Sequence, residues 1–148
     1  MKIAIDPGWS GAVAFEIDGK TWTVNCPETQ FEMFDILNSV KNGMEDNMED
    51  NTVSAIIEKV HSMPAQGVKS VWSFSANYAS WQMALIALKI PFKEVPPQKW
   101  MKALGNLPAD KKLRKNCIKD QMQKKYPHIK ITLANADALG ILSMWEKL

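Results

Sequence analysis

The stretch VSAIIEKV, residues 53–60, constrains this chain more than any other. Its nearly continuous apolar run suits a strand covered on both faces, which puts it in the middle of a sheet with helices on either side. Glu58 interrupts the run. A carboxylate near the end of a covered strand must be paired, protonated or metal-bound, because burying it bare is expensive. The rest of the sequence has to supply its company.

An apolar strand at Ile3, Ala4 and Ile5 runs into Asp6 and is stopped by Pro7-Gly8. Strands over 11–17 and 21–26 flank Asp18-Gly19, a strong hairpin signal, so the first three strands form an antiparallel meander. Between 28 and 41, Phe31, Phe34, Ile36, Leu37 and Val40 recur at helical spacing, and Asn42-Gly43 ends the run. Residues 42–52 read as an acidic loop, and 61–69, with Pro64 and Gly67, as another. Phe74, Tyr78, Trp81, Leu85 and Leu88 form a core stripe on a helix over 70–89. A strand over 90–95 precedes Pro96-Pro97. A helix over 98–105 ending at Gly105, a lysine-rich helix over 108–125 with Asp110 at its start, a short extended piece over 129–133 and a helix over 136–145 follow. This is an α/β layout, a mixed five-stranded sheet flanked by helices. Its 148 residues suit one domain spanning 1–148 and are too few for two.

Three acids punctuate that layout. Asp6 ends the first strand, Glu58 lies in the fourth, and Asp137 sits in the first turn of the last helix, among Ala138, Leu139, Ile141, Leu142 and Trp145. If the first and fourth strands are neighbours, Asp6 and Glu58 meet at the sheet edge and a helix packed there brings Asp137 within reach. Clustered carboxylates repel one another without a cation. Hard oxygen ligands contributed singly suit Mg²⁺, with Mn²⁺ as a substitute, rather than Zn²⁺. Cys26 and Cys117 stand far apart outside any motif and read as small half-buried residues.

The net charge of +2 divides unevenly. Residues 1–98 carry seven lysines against twelve acids, net −5; residues 99–130 carry nine lysines and one arginine against two acids, net +8. Such a segment is either a solvated helix face or a phosphate-binding surface, and composition leaves both open. No apolar stretch is long enough to cross a bilayer and the charged opening is unlike a secretion signal, so a soluble, cytoplasmic protein is expected.

At this point the sequence resembles the RuvC-like Holliday junction resolvases of the ribonuclease-H-like superfamily, particularly the short form of phages and some bacteria. IAIDPGWSGAVAF, IIEKVHSMPAQGV, IPFKEVPPQKW and LANADALGIL carry the resemblance, in order, over nearly the whole chain. The opening motif alone also resembles actin-like kinases, but that fold needs two lobes and the chain has room for one.

The resemblance implies a ribonuclease-H-like fold, with Asp6, Glu58 and Asp137 as catalytic metal ligands. It implies two Mg²⁺ ions about 4 Å apart on the scissile phosphate, and nicks with 5′-phosphate and 3′-hydroxyl ends. Where bacterial resolvases usually have a fourth acid, this chain has Ala134, which leaves Asn135, a water or the substrate phosphate as the fourth ligand. Lys99 and Lys111 are the expected catalytic lysines. His61 could stack on bases, assist the metal site or cap its strand; Gln66 and Lys69 in the same loop, and Lys99, Lys102, Lys111, Lys112, Arg114 and Lys115 in the basic segment, are the expected DNA contacts. A homodimer acting on four-way junctions is implied, with the 70–89 helix, bearing Trp72, Trp81 and Met83, as interface. Two alternatives stay open: a ribonuclease-H-like nuclease on hybrids or flaps, and an inactive junction-binding protein.

Overall fold

The structure, a computed structural model, describes residues 1–45, 53–61 and 67–148. β1 (Lys2–Asp6), β2 (Ala12–Ile17) and β3 (Lys20–Asn25) form the antiparallel meander. Asp18 and Gly19 both take positive φ, 48° and 76°, the left-handed pair whose twist matches that of the strands in a two-residue hairpin. β4 (Ser54–Glu58) lies parallel to the other edge of β1, and β5 (Phe92–Val95) lies parallel to β4. The order β3-β2-β1-β4-β5 is the mixed five-stranded sheet expected.

Among the described residues five α-helices cover it: α1 (Gln30–Glu45), α2 (Val68–Ala87), α3 (Pro97–Leu104), α4 (Lys111–Lys125) and α5 (Ala136–Ser143). Strand alternation sorts the core into two layers. Ile3, Ile5, Val13, Phe15 and Ile57 face Met33 and Leu37 of α1 and Trp81 and Leu85 of α2. Ala4, Ala12, Ala14 and Ile56 face the other way, toward Trp100 of α3, Ile118 and Met122 of α4, and Leu139 and Ile141 of α5. The same alternation aims the acidic strand ends. Asp6 shares the parity of Ala4 and Glu58 that of Ile56, so both point to the face that α5 covers.

Several boundaries and contacts differ from the sequence reading. α1 runs through Asn42-Gly43 to Glu45, since a glycine in a helix costs only about 1 kcal/mol and does not force an end. It buries Met33 and Leu37 and leaves Phe31 exposed, so its core stripe is shifted from the one the aromatics suggested. Residues 129–133 join no sheet: Ile131 N–H donates to Gln123 Oε1 at 3.2 Å and Lys130 O accepts from Asn135 Nδ2 at 3.2 Å, so side chains rather than a neighbouring strand satisfy this backbone. The final helix closes at Ser143 and gives way to a 3₁₀ turn, Trp145–Lys147. Trp81 is buried core rather than interface surface, whereas Trp72, Met83 and Ile86 are exposed on the outer side of α2. Asp110 does cap α4, its Oδ1 accepting from Leu113 N–H at 2.8 Å. The acidic loop beyond Glu45, residues 46–52, and the loop residues 62–66, including Gln66, lie outside the described residues.

Candidate active site

Register brings two of the acids together. Ile5 pairs with Ile57 across the parallel β1/β4 ladder, so the next residues, Asp6 and Glu58, end adjacent strands side by side. α5 packs across β1 and β2 on the same face, and Asp137 in its first turn completes the group.

The turn after Asp6 is built for close approach. Gly8 has φ 118°, and a Cβ there would lie 2.9 Å from the Phe74 ring. A Cβ on Gly11 would sit 2.1 Å from the Asp6 carbonyl oxygen, so no other residue fits without moving the strand end. Gly11 N–H closes the turn on Gly8 O at 2.9 Å. α2 holds it from outside: Gly8 N–H donates to Asn77 Oδ1 at 2.8 Å and Trp9 Nε1 donates to Ser73 Oγ at 2.7 Å. Asn77 is fully buried, and its Nδ2 donates to Cys26 Sγ at 3.2 Å.

The electrostatics are those of an acid cluster short of positive charge. Burial, then the charges of Glu58 and Asp137, raise the Asp6 pKa well above the usual carboxylate range. Burial, with Asp137 adding, raises Glu58 to about 7, against the opposing hydrogen bond from Trp100. Asp137 is raised by burial, opposed by Lys115 and then Arg114. Glu58 thus makes it harder for Asp6 to carry charge, and both shifts favour the protonated form. Among the described residues no three acid, histidine or cysteine side chains are spread as a ready-made ligand cage. The donor chemistry is nonetheless that of a hard divalent cation: carboxylate oxygens that are buried and near one another would be relieved of both penalties by positive charge.

The expected lysines sort differently. Lys115 Nζ lies 3.9 Å from Asp137 Oδ2, the ion pair to the acids among the described residues. Lys111, one turn earlier on α4, is exposed at the helix start. Lys99 is turned away, donating to Leu148 O at 3.2 Å, because its position on α3 faces the end of the chain. Lys69, Lys102, Lys112 and His61 are exposed; Arg114 donates to Ala109 O at 2.7 Å and braces the start of α4. Asn135 is consumed structurally: its Oδ1 accepts from Thr132 N–H at 2.8 Å and its Nδ2 donates to Thr23 Oγ1 at 3.1 Å.

Sequence reasoning missed Asn77 and Trp100. Asn77 falls three residues after Phe74 and four before Trp81, inside the apolar stripe, where a polar residue signals a buried partner. Trp100 is fully buried and its Nε1 donates to Glu58 Oε1 at 2.8 Å. A buried indole N–H needs an acceptor, and that was the available signal.

A mixed sheet of this order, with acids at the ends of its paired central strands and on the helix across them, defines a ribonuclease-H-like α/β fold. Solved structures of RuvC share this fold. The structure of T. thermophilus RuvC in complex with Holliday junction substrate superposes with a TM-score of 0.60, at 13% identity, over 95% of this chain and 88% of that one. The Thermus thermophilus RuvC structure gives 0.53 at 14% identity, over 95% and 89%. No protein-family model and no curated protein matches the sequence. Among the described residues no helix is long and apolar enough to cross a membrane.

Proposed function

We propose that the chain is a divalent-metal-dependent endonuclease that resolves four-way DNA junctions by paired symmetric nicks. The observation that carries this reading is the meeting of Asp6, Glu58 and Asp137 on one face of a RuvC-like sheet. The neighbour of highest TM-score above is bound to a Holliday junction substrate, which supports branched DNA as the ligand class.

Asp6, Glu58 and Asp137 would hold Mg²⁺, or Mn²⁺ in its place. When bound, the ions supply charge against the scissile phosphate and lower the pKa of the attacking water, leaving 5′-phosphate ends. Lys115, beside Asp137, is placed to meet negative charge developing on the phosphate, the role expected of Lys99 and Lys111. Lys102, Lys111 and Lys112 are exposed and free to meet further phosphates, so junction affinity should fall steeply with salt. His61 and Lys69 flank the β4–α2 connection, where an incoming strand can be met. Two copies joined through the outer side of α2, by Trp72, Met83 and Ile86, would present two sites to two strands.

The test is cleavage of labelled four-way, flap, hybrid and linear substrates with Mg²⁺ present or withheld. Wild type should nick the junction symmetrically, and Asp6→Asn should lose about a hundredfold or more of that activity. Cutting confined to hybrids would overturn the junction assignment. A second reading, a junction-binding protein without cleavage, is favoured by Ala134 and by the engagement of Asn135 elsewhere. Mg²⁺-dependent nicking that Glu58→Gln abolishes would eliminate it.

A further inference from the structure

Trp100 buries its ring completely, yet its N–H ends on a carboxylate of the acid cluster, 2.8 Å from Glu58 Oε1. The ring is wedged in place. Gly140, three residues beyond Asp137 on α5, lies so close that a Cβ there would come within 2.9 Å of Trp100 Cζ3. One indole therefore spans from the strand that carries Glu58 to the helix that carries Asp137.

The chemistry of that contact is selective. An indole N–H is a donor only, so it engages one oxygen of Glu58 and leaves Oε2 for another partner. It also satisfies a buried carboxylate without adding a positive charge that would compete with a cation; a lysine in its place would do both. An unrestrained glutamate could rotate among rotamers or embrace a cation with both oxygens. We infer that Trp100 is a positioning residue that fixes the orientation in which the Glu58 carboxylate meets a divalent cation, with Gly140 keeping the ring in register. This rests on the metal-nuclease reading of the same acids. Partners that orient ligands in this way are commonly worth about 10–100-fold in metal affinity.

The test is Mn²⁺ titration of the full chain, followed by the electron paramagnetic resonance signal of the free ion. It compares wild type, Trp100→Phe, Glu58→Gln, the double variant and Gly140→Ala, each checked for a native melt. Trp100→Phe should bind about tenfold or more weakly, and the same change in the Glu58→Gln background should add nothing. Gly140→Ala, which keeps the indole but displaces it, should weaken binding in the same direction and remains informative if Trp100→Phe folds poorly. Wild-type affinity in both Trp100→Phe and Gly140→Ala would overturn the inference. So would an equal loss with and without the Glu58 carboxylate, which would mark a general packing effect. Wild type that takes up no Mn²⁺ would overturn the nuclease reading itself, a different result from wild-type binding that Trp100→Phe leaves intact.

Discussion

The two faces of the sheet are built from different side chains. Toward α1 and α2 the central strands present Ile3, Ile5, Val13 and Phe15; toward α5 the intervening positions are Ala4, Ala12 and Ala14. Burying a large aliphatic or aromatic side chain contributes about 1.5–3 kcal/mol, and an alanine methyl far less. The first face therefore supplies much of the burial energy, and the second sets a distance. Small residues let α5, itself carrying Ala138 and Gly140, settle close on β1 and β2. That approach brings Asp137 to Asp6 and Glu58. The difference separates what holds the molecule together from what brings its three buried acids near one another.

The sharpest way to break this contrast is to shrink the large face. Trp81→Ala should cost about 3–5 kcal/mol in denaturant unfolding while leaving nicking per folded molecule close to wild type. Overpacking the small face should do the reverse. Ala14→Val should cost only about 1–3 kcal/mol, yet reduce nicking, because the added methyls push α5 outward. Equal activity in both variants would mean that α5 tolerates displacement and the contrast is false.

The smallest effect is electrostatic. Between the ordinary glutamate pKa of 4.5 and the folded value of about 7, the folded chain holds a proton on Glu58 that the unfolded chain has released. Stability from this group is thus full below 4.5 and is lost as pH rises through 7, and the upward shift of Asp6 acts in the same direction. Metal-free protein should melt lower at about pH 8 than at about pH 5, and Asp6→Asn should recover part of the loss at the higher pH. Mg²⁺ should stabilise more at the higher pH, where the carboxylates are free to receive it. A metal-free melt that rises over the same interval would contradict the assignment of these acids to a crowded cluster.

Much of this was legible in the chain because periodicity and turn chemistry are local. The Asp18-Gly19 hairpin, the buried run around Glu58 and the cap at Asp110 each follow from a few neighbouring residues. The meeting of Asp6 with Glu58 needed one further assumption, that β1 and β4 pair, and the parallel ladder supplies it. What stayed hidden depends on the azimuth of a side chain about its helix in three dimensions. Lys99, Lys111 and Lys115 are indistinguishable by composition, and only the docking of α3 and α4 turns the first to the end of the chain and the last to Asp137. The same holds for Phe31, whose aromatic character suggested core but whose position on α1 faces out.

The parallel pairing of β1 with β4 also orders events in time. The hairpins of β1, β2 and β3 close over short loops, but Asp6 gains its first acidic neighbour only when a strand about fifty residues further on finds β1, and its second only when α5 docks across them. Pairing across that separation costs more loop-closure entropy than a hairpin does, and the last approach works against carboxylate repulsion. The acid cluster should therefore be among the last features a refolding chain acquires, so that a partly folded chain would hold the scaffold before the three carboxylates meet.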